Sequence, residues 1–220
     1  MFLLLLAATA SSGSLLPFQI PQASPSVKDP WDGVKPGSWV KFEMETEAYG
    51  HISRDEQILT LENREGTEIL LSSKGSCAGQ ERQPGNLRLT TWSQIGADQL
   101  AIQGKVYGCA VWRASGSDAT GPTETKYWMH DGRPLKIDLK NGACRAELLA
   151  DPEPKNRNYL GKTITVTELS GTFSTATARG TMRQWHAAEV PGRLLRLETS
   201  IAVPGGNVHT RAEVKETLLK

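Results

Sequence analysis

The 220-residue chain has few cysteines and almost no net charge. Its 25 basic residues nearly balance its 24 acidic residues, which leaves a formal net charge of +1. This balance excludes the strongly basic surface of a general nucleic-acid-binding protein and also an acidic solvating tail. The three cysteines form no Cys-x-x-Cys pair, so the sequence indicates neither a zinc ribbon nor a dithiol redox motif.

Motifs of catalysis and nucleotide binding are also missing. The chain has no Gly-x-Ser-x-Gly, no phosphate-binding Walker loop and no His-Glu-x-x-His. We therefore predict no metal, no cofactor and no enzymatic activity, and we interpret His130 and His186 as exposed strand residues. A glycosidase-like pair of carboxylates could still converge in space, and a hydrolase stays the third hypothesis.

No apolar run is long enough to cross a membrane as a helix. The run Phe2–Ala8 is far shorter than the roughly 20 residues that a span needs. With Ala8-Thr9-Ala10 after it, the run predicts a secretory signal peptide over residues 1–10. We therefore expect an exported, soluble protein of the periplasm or extracellular space. No cysteine follows the run closely, so we expect no lipid anchor.

Residues 11–36 are rich in proline, which removes backbone donors and favours extended chain. We predict that this segment is an extended arm. The fold is expected to begin near Gly37 and to continue as a single β domain to residue 220. The prolines of the arm are Pro17, Pro21, Pro25, Pro30 and Pro36.

Apolar and polar residues alternate from Gly37 onward, as in Val40-Lys41-Phe42. This period of two predicts half-buried strands, and a sheet with one wet face is antiparallel. Asp131-Gly132 and Asn141-Gly142 are signals of tight hairpin turns. The sequence therefore predicts an all-β fold, an antiparallel meander of about 10–12 strands that curls into a half-barrel, a barrel or a two-layer sandwich.

An internal repeat with a period of 57 residues relates Gly104–Pro134 to Gly161–Pro191. Seven of the 31 aligned positions are identical, and Trp128 aligns with Trp185. The alignment predicts repeated four-stranded units at about residues 37–103, 104–160 and 161–220.

The opening Asp29-Pro30-Trp31, followed by Gly37-Ser38-Trp39-Val40-Lys41, resembles a group of uncharacterised exported bacterial β-rich proteins. Trp185 followed by Pro191-Gly192 extends this resemblance. It implies secretion and an antiparallel β fold, without a known activity or site. In fold alone, a long meander is similar to periplasmic lipoprotein-carrier proteins, which curl into an open half-barrel around acyl chains.

The apolar side of the later strands has no amphipathic helix to cover it. Such a face must be closed on itself, which is the commoner solution, or be occupied by a ligand or partner. The leading hypothesis is an exported, non-enzymatic binding module of the bacterial envelope or extracellular space, for a lipid-like or other apolar ligand. The candidate ligand-binding residues are Leu135, Ile137, Leu139, Leu195, Leu197, Trp128 and Trp185.

Trp128 and Trp185 have the parity opposite to that of the apolar residues beside them, such as Tyr127 and Met182. They predict a second, aromatic face. The alternative hypothesis is therefore a structural or adhesive module that uses surface aromatics on an envelope polymer or a partner protein. A deep apolar groove would favour the first hypothesis, a flat Trp-bearing face the second, and converging carboxylates the third.

Cys109 has the apolar parity, and its partner in the repeat is Val166, so we favour a buried core thiol over a disulfide or a reactive thiol. In a meander, Cys109 and Cys144 lie on strands three apart. Their backbones are then about 14 Å apart, whereas a disulfide needs Cα atoms within about 7 Å. We predict no Cys109–Cys144 bond.

Overall fold

The structure, a computed structural model, describes Trp31 and residues 33–65, 68–75, 82–87, 92–118, 121–142 and 144–220. The predicted signal peptide, most of the arm and Cys77 lie outside these residues.

The described chain forms fourteen strands, which confirms the all-β prediction. They are β1 (Trp39–Ala48), β2 (His51–Glu65), β3 (Glu68–Gly75), β4 (Arg82–Leu87), β5 (Trp92–Ile102), β6 (Lys105–Asp118), β7 (Gly121–His130), β8 (Arg133–Asn141), β9 (Cys144–Ala150), β10 (Lys155–Tyr159), β11 (Lys162–Ser174), β12 (Arg179–Ala187), β13 (Leu194–Val203) and β14 (Gly206–Leu218). None of the described residues form a helix with the length and hydrophobicity of a transmembrane span.

The strands form one antiparallel sheet in which most consecutive strands are neighbours, as the meander predicts. The order is β4-β3-β2-β1-β14-β13-β12-β11-β9-β8-β7-β6-β5. β10 also pairs with β11 and extends the line of β9 after an interruption at Asp151–Pro154. The first and last strands pair in the middle of the order, with Glu43 opposite Glu213. Among the strands described, β4 and β5 form the two ends, so the sheet is open rather than closed.

One face of the sheet, here called the inner face, carries the buried apolar side chains. Phe42 on β1, Ile137 on β8 and Leu197 on β13 are each at most 1% exposed. The buried residues form a single cluster that joins Leu61 on β2 to Cys109 on β6. Side chains on one face of a flat sheet would stay exposed to solvent, so their near-complete burial indicates that the sheet curls toward the inner face. The opposite, mainly polar face is here called the outer face.

The hydrophobic core includes a residue that precedes Gly37. Trp31 is fully buried in the core, and its carbonyl oxygen accepts hydrogen bonds from the Val34 amide at 3.0 Å and from Arg64 Nη2 at 2.7 Å. A Cβ atom placed on Gly192 would lie 3.2 Å from the indole ring. The indole is therefore packed close to the chain segment between β12 and β13.

Four hairpins turn on pairs of residues that both have positive φ, the geometry of type I′ turns. Asp131-Gly132 was expected from its composition. The other three pairs are Tyr49-Gly50, Gln103-Gly104 and Leu160-Gly161. In each of these three pairs glycine supplies the second position, while a residue that rarely adopts positive φ occupies the first.

Two features recur at positions that the repeat alignment makes equivalent. Gly104 and Gly161 both close hairpins, with φ of 79° and 78°. The register with the following strand shifts directly after Trp128 in β7 and directly after Trp185 in β12. A duplicated unit would show such matches, and the repeat itself stays a prediction.

Cys109 is 3% exposed and belongs to the core cluster, as predicted. Burial raises the pKa of its thiol, and the charge of Asp98 raises it further. β7 and β8 lie between the strands of Cys109 and Cys144. The expected separation of three strands is confirmed, and it keeps these two cysteines too far apart for a disulfide.

Candidate functional site

The seven candidate ligand-binding residues do not form one site. Leu135, Ile137 and Leu197 are at most 2% exposed on the inner face, where they are part of the packed core. Leu139 is half-buried against the same core. Their role toward a ligand stays a prediction.

The two tryptophans lie on the outer face, as their parity predicts. Trp128 on β7 and Trp185 on β12 are both half-buried. Three strands, β8, β9 and β11, lie between β7 and β12, so the two backbones are about 19 Å apart across the sheet. The tryptophans therefore belong to two separate sites.

Trp128 is held by polar partners. Its indole Nε1 donates a hydrogen bond to Asp98 Oδ2 at 2.9 Å, and Lys136 Nζ lies 4.9 Å from the ring centroid. The pKa of Asp98 is lowered, first by this hydrogen bond and then by the amide of Gln99. Because the indole donor is already used and an ammonium group covers the ring, little of Trp128 is available to a ligand.

Trp185 lies beneath the hairpin formed by β10 and the first part of β11. Strand alternation places Val166 and Glu168 on the outer face, beside their partners Ala187 and Trp185 on β12. Val166 is nevertheless only 2% exposed. The hairpin therefore bends over the outer face and covers this part of the sheet.

A cavity of about 250 Å³ lies between the hairpin and the sheet. One wall comes from β10, and the other wall comes from β12, β13 and β14. Leu195, one of the candidate residues, also lines it. The lining residues are Arg157, Asn158, Tyr159, Arg183, Trp185, Leu195, Arg196, Glu198 and Glu213. This space is here called the hairpin cavity.

Two arginines of the sheet pack against the Trp185 ring. The guanidinium carbons of Arg196 and Arg183 lie 5.0 and 5.6 Å from its centroid, a distance at which the ring attracts a cation. Arg183 Nε also pairs with Glu168 Oε1 at 3.1 Å, and Arg196 forms an ion pair with Glu198. Trp185 therefore orients two guanidinium groups at the edge of the cavity.

The remaining carboxylate of the cavity, that of Glu213, is neutralised by its neighbours. Arg211 Nη2 lies 2.6 Å and Lys215 Nζ 3.3 Å from Glu213 Oε2. Burial by itself would raise the pKa of Glu213, but the hydrogen bonds and charges of these two residues lower it overall. Arg157 makes no ion pair within the part of the chain that the structure describes.

Two residues of the hairpin cavity keep a buried polar atom without a hydrogen-bond partner among the residues described. These atoms are Tyr159 Oη and Arg196 Nε. Burial raises the pKa of Tyr159 to about 12, and the hydroxyl of Thr217 lies near enough to oppose this shift, though not in hydrogen-bond geometry. Tyr159 is therefore a neutral phenol at any physiological pH. Buried groups of this kind favour a partner, because an unmade hydrogen bond is costly in the interior.

A second, larger groove of about 510 Å³ lies next to this cavity on the outer face. It shares Arg183 and Glu198 with the hairpin cavity and also includes Glu45. Glu45 pairs with Arg54 at 2.9 Å, and Glu198 pairs with Arg196. Both of these carboxylates are ion-paired, whereas Glu47, which also lines the groove, makes no ion pair within the described residues. The described residues contain no cluster of three or more His, Cys, Asp or Glu that could hold a metal.

The interpretation of His186 as an exposed residue is wrong. It is 7% exposed, and its Nε2 lies 2.9 Å from Gln184 Oε1. His186 alternates with Trp185 along β12 and lies on the same side as Met182 and Gln184, so it faces the inner side, opposite Leu194 on β13. His130 is half-buried, and its Nδ1 lies 2.8 Å from the carbonyl oxygen of Gly108.

Sequence reasoning identified only Trp185 and Leu195 among the nine lining residues of the hairpin cavity and missed the other seven, which include Arg157, Tyr159 and Arg196. β10 consists of Lys-Asn-Arg-Asn-Tyr and has no apolar alternation, so it resembles a loop. A signal was nevertheless present in the repeat alignment, which matches Gly104 to Gly161 and thereby places a hairpin directly after Tyr159.

Comparison with solved structures finds weakly similar folds in three bacterial structures. A lipoprotein-sorting protein domain from Vibrio parahaemolyticus is 11% identical, with 83% of this chain and 85% of that chain covered and a TM-score of 0.39. An exported protein with a YmcC-like fold from Bacteroides fragilis is also 11% identical, with 92% and 99% covered and a TM-score of 0.38. The Pseudomonas aeruginosa MucA/MucB complex matches at 14% identity, 81% and 88% coverage and a TM-score of 0.20.

No protein-family model matches the chain, and no curated protein matches it. The resemblance suspected from the sequence, to exported β-rich proteins and lipoprotein carriers, is confirmed only as a weak likeness of fold. Scores at this level carry no information about the ligand of this chain.

Proposed function

We propose that the protein is an exported, non-enzymatic binding module whose ligand occupies the hairpin cavity. The observation that carries this proposal is the cavity of about 250 Å³ that a polar hairpin forms over Trp185. Its walls combine an aromatic ring, the aliphatic Leu195 and several hydrogen-bond donors. Binding sites commonly combine apolar walls with a few polar groups that orient the ligand.

The chemistry of the cavity supports binding rather than catalysis. Its two carboxylates, Glu198 and Glu213, are both ion-paired with arginine. The phenol of Tyr159 has its pKa raised to about 12, which makes it a poor general base near neutral pH. The cavity therefore offers donors and an aromatic surface but no activated nucleophile.

The test is the removal of Trp185. We expect that protein purified from its native host carries a small molecule, that Trp185→Ala loses at least nine-tenths of it, and that Trp128→Ala retains it. Mass spectrometry of the extracted molecules measures the loss, and circular dichroism checks that each variant is folded. Tyr159→Ser, which alters the hairpin and not the sheet, is the second variant. The proposal fails if both cavity variants retain the molecule.

A second candidate is a lipid-like or other apolar ligand on the inner face. The observation that favours it is the open sheet, since β4 and β5 lie at opposite ends of the order of described strands. An open curled sheet offers an entrance to its apolar interior, whereas a closed barrel of hydrogen-bonded strands offers none along its wall.

A fluorescent apolar probe such as N-phenyl-1-naphthylamine tests this second candidate. We expect the probe to bind, fatty acids to displace it, and Leu139→Glu to weaken probe binding at least tenfold, because a carboxylate would enter the apolar lining. Val106→Glu is the control, since Val106 is 65% exposed. If the wild-type protein does not bind the probe, the inner face is an ordinary core and this candidate is excluded.

A further inference from the structure

We propose that the hairpin cavity selects a ligand bearing a compact oxyanion, a phosphate or a carboxylate, and that Arg157 on β10 is the residue that selects it. This inference rests on the proposed function and adds the chemical class of the ligand. It follows from the charges and donors that surround the cavity.

One positively charged group of the cavity lining has no carboxylate partner among the residues described. Of the three arginines that line it, Arg183 and Arg196 have carboxylate partners in Glu168 and Glu198. Glu213, the other acidic residue of the lining, is neutralised by Arg211 and Lys215, which do not line the cavity. Arg157 therefore carries a guanidinium group that the cavity does not neutralise.

Apart from the two ion-paired carboxylates of Glu198 and Glu213, the polar groups of the lining match an anion rather than a cation. Arg157 and Arg196 offer N–H groups, Asn158 an amide and Tyr159 a hydroxyl. The buried Nε of Arg196 and Oη of Tyr159 have no hydrogen-bond partner among the residues that the structure describes. Arginine presents its donors in a planar fork that fits the two oxygens of a carboxylate or phosphate. An oxyanion between β10 and β13 would therefore meet donors from both walls.

The stack on Trp185 prepares this site before the ligand arrives. The ring lies between strand neighbours Arg183 and Arg196, with guanidinium carbons 5.6 and 5.0 Å from its centroid. A guanidinium group held in this way loses less side-chain freedom when it binds, which favours affinity. Trp185 is thus a positioning residue for the anion as well as a wall of the cavity.

The experiment compares three probes of similar size by isothermal titration calorimetry: glucose 6-phosphate, D-glucuronate and D-glucose. We expect at least one of the two anionic probes to bind at least tenfold more tightly than D-glucose, with an affinity that falls as salt rises. The two anions separate a phosphate site from a carboxylate site. Arg157→Gln should remove this preference, because the substitution keeps an amide donor but loses the charge. It should leave the protein folded, since Arg157 is exposed.

Arg179→Gln is the matched control, since Arg179 is an exposed arginine at the opposite end of β12 and does not line the cavity. It should change the affinity for the anions less than twofold. The inference is overturned if both anions bind no more tightly than D-glucose, or if Arg157→Gln and Arg179→Gln have the same effect. A co-purified molecule that Trp185→Ala loses but that carries no charge would contradict this inference and leave the proposed function standing.

Discussion

Trp31→Ala is expected to lower the free energy of unfolding by about 3–5 kcal/mol, the range for removing a large buried aromatic side chain. The indole is fully buried, and Gly192 lies against it. The substitution would leave a cavity between β2 and the chain that precedes β13. Urea denaturation followed by circular dichroism measures the change.

Leu160→Ala provides the control for Trp31→Ala. Leu160 is also large and apolar, but it is 56% exposed at the turn between β10 and β11. Its substitution should change stability by less than about 0.5 kcal/mol. A loss below about 1 kcal/mol for Trp31→Ala would mean that Trp31 is not part of the core.

Acidification is expected to destabilise the protein through His186, by about 2 kcal/mol between pH 7 and pH 5. Burial and, to a smaller extent, the nearby charge of Arg193 together lower the pKa of this histidine from 6.5 to about 4. In this interval the unfolded chain binds a proton at residue 186 that the folded chain does not bind. Stability therefore falls as pH decreases from the unfolded pKa toward the folded one.

His186→Gln should remove most of this acid sensitivity, although it changes the stability at pH 7 as well. The quantity to compare is the slope of unfolding free energy against pH, measured by urea denaturation from pH 7 to pH 5. His209→Gln is the control because His209 is exposed on β14. An unchanged slope in His186→Gln, or an equal change in His209→Gln, would contradict the assignment.

The faces of the strands could be predicted from the sequence because they depend on local alternation. Tyr127 was expected on one side of β7 and Trp128 on the other, and the structure places them so. The same reasoning identified Cys109 as a core residue. His186 shares the parity of Met182 and Gln184, and the structure buries all three on the inner face, so alternation by itself contradicts the interpretation of His186 as exposed.

Turns were predictable only where composition itself indicates positive φ. Asp131-Gly132 has such a composition, and it forms the predicted turn. Leu160-Gly161 has the same geometry, but leucine seldom adopts φ near 47°. Because Leu160-Gly161 does not have the composition of a tight turn, the sequence analysis did not predict the hairpin that covers Trp185.

The sequence by itself determined the all-β class, the antiparallel meander and the two faces of the sheet. Only the tertiary structure decided that β1 pairs with β14, that Trp31 enters the core and that β10 bends over Trp185. The physical reason is that alternation records which side of a strand is buried, a property of neighbouring residues. Pairing between strands more than 150 residues apart, and the bend of a hairpin across a sheet, depend on the curl and twist of the whole sheet, which no short stretch of sequence specifies.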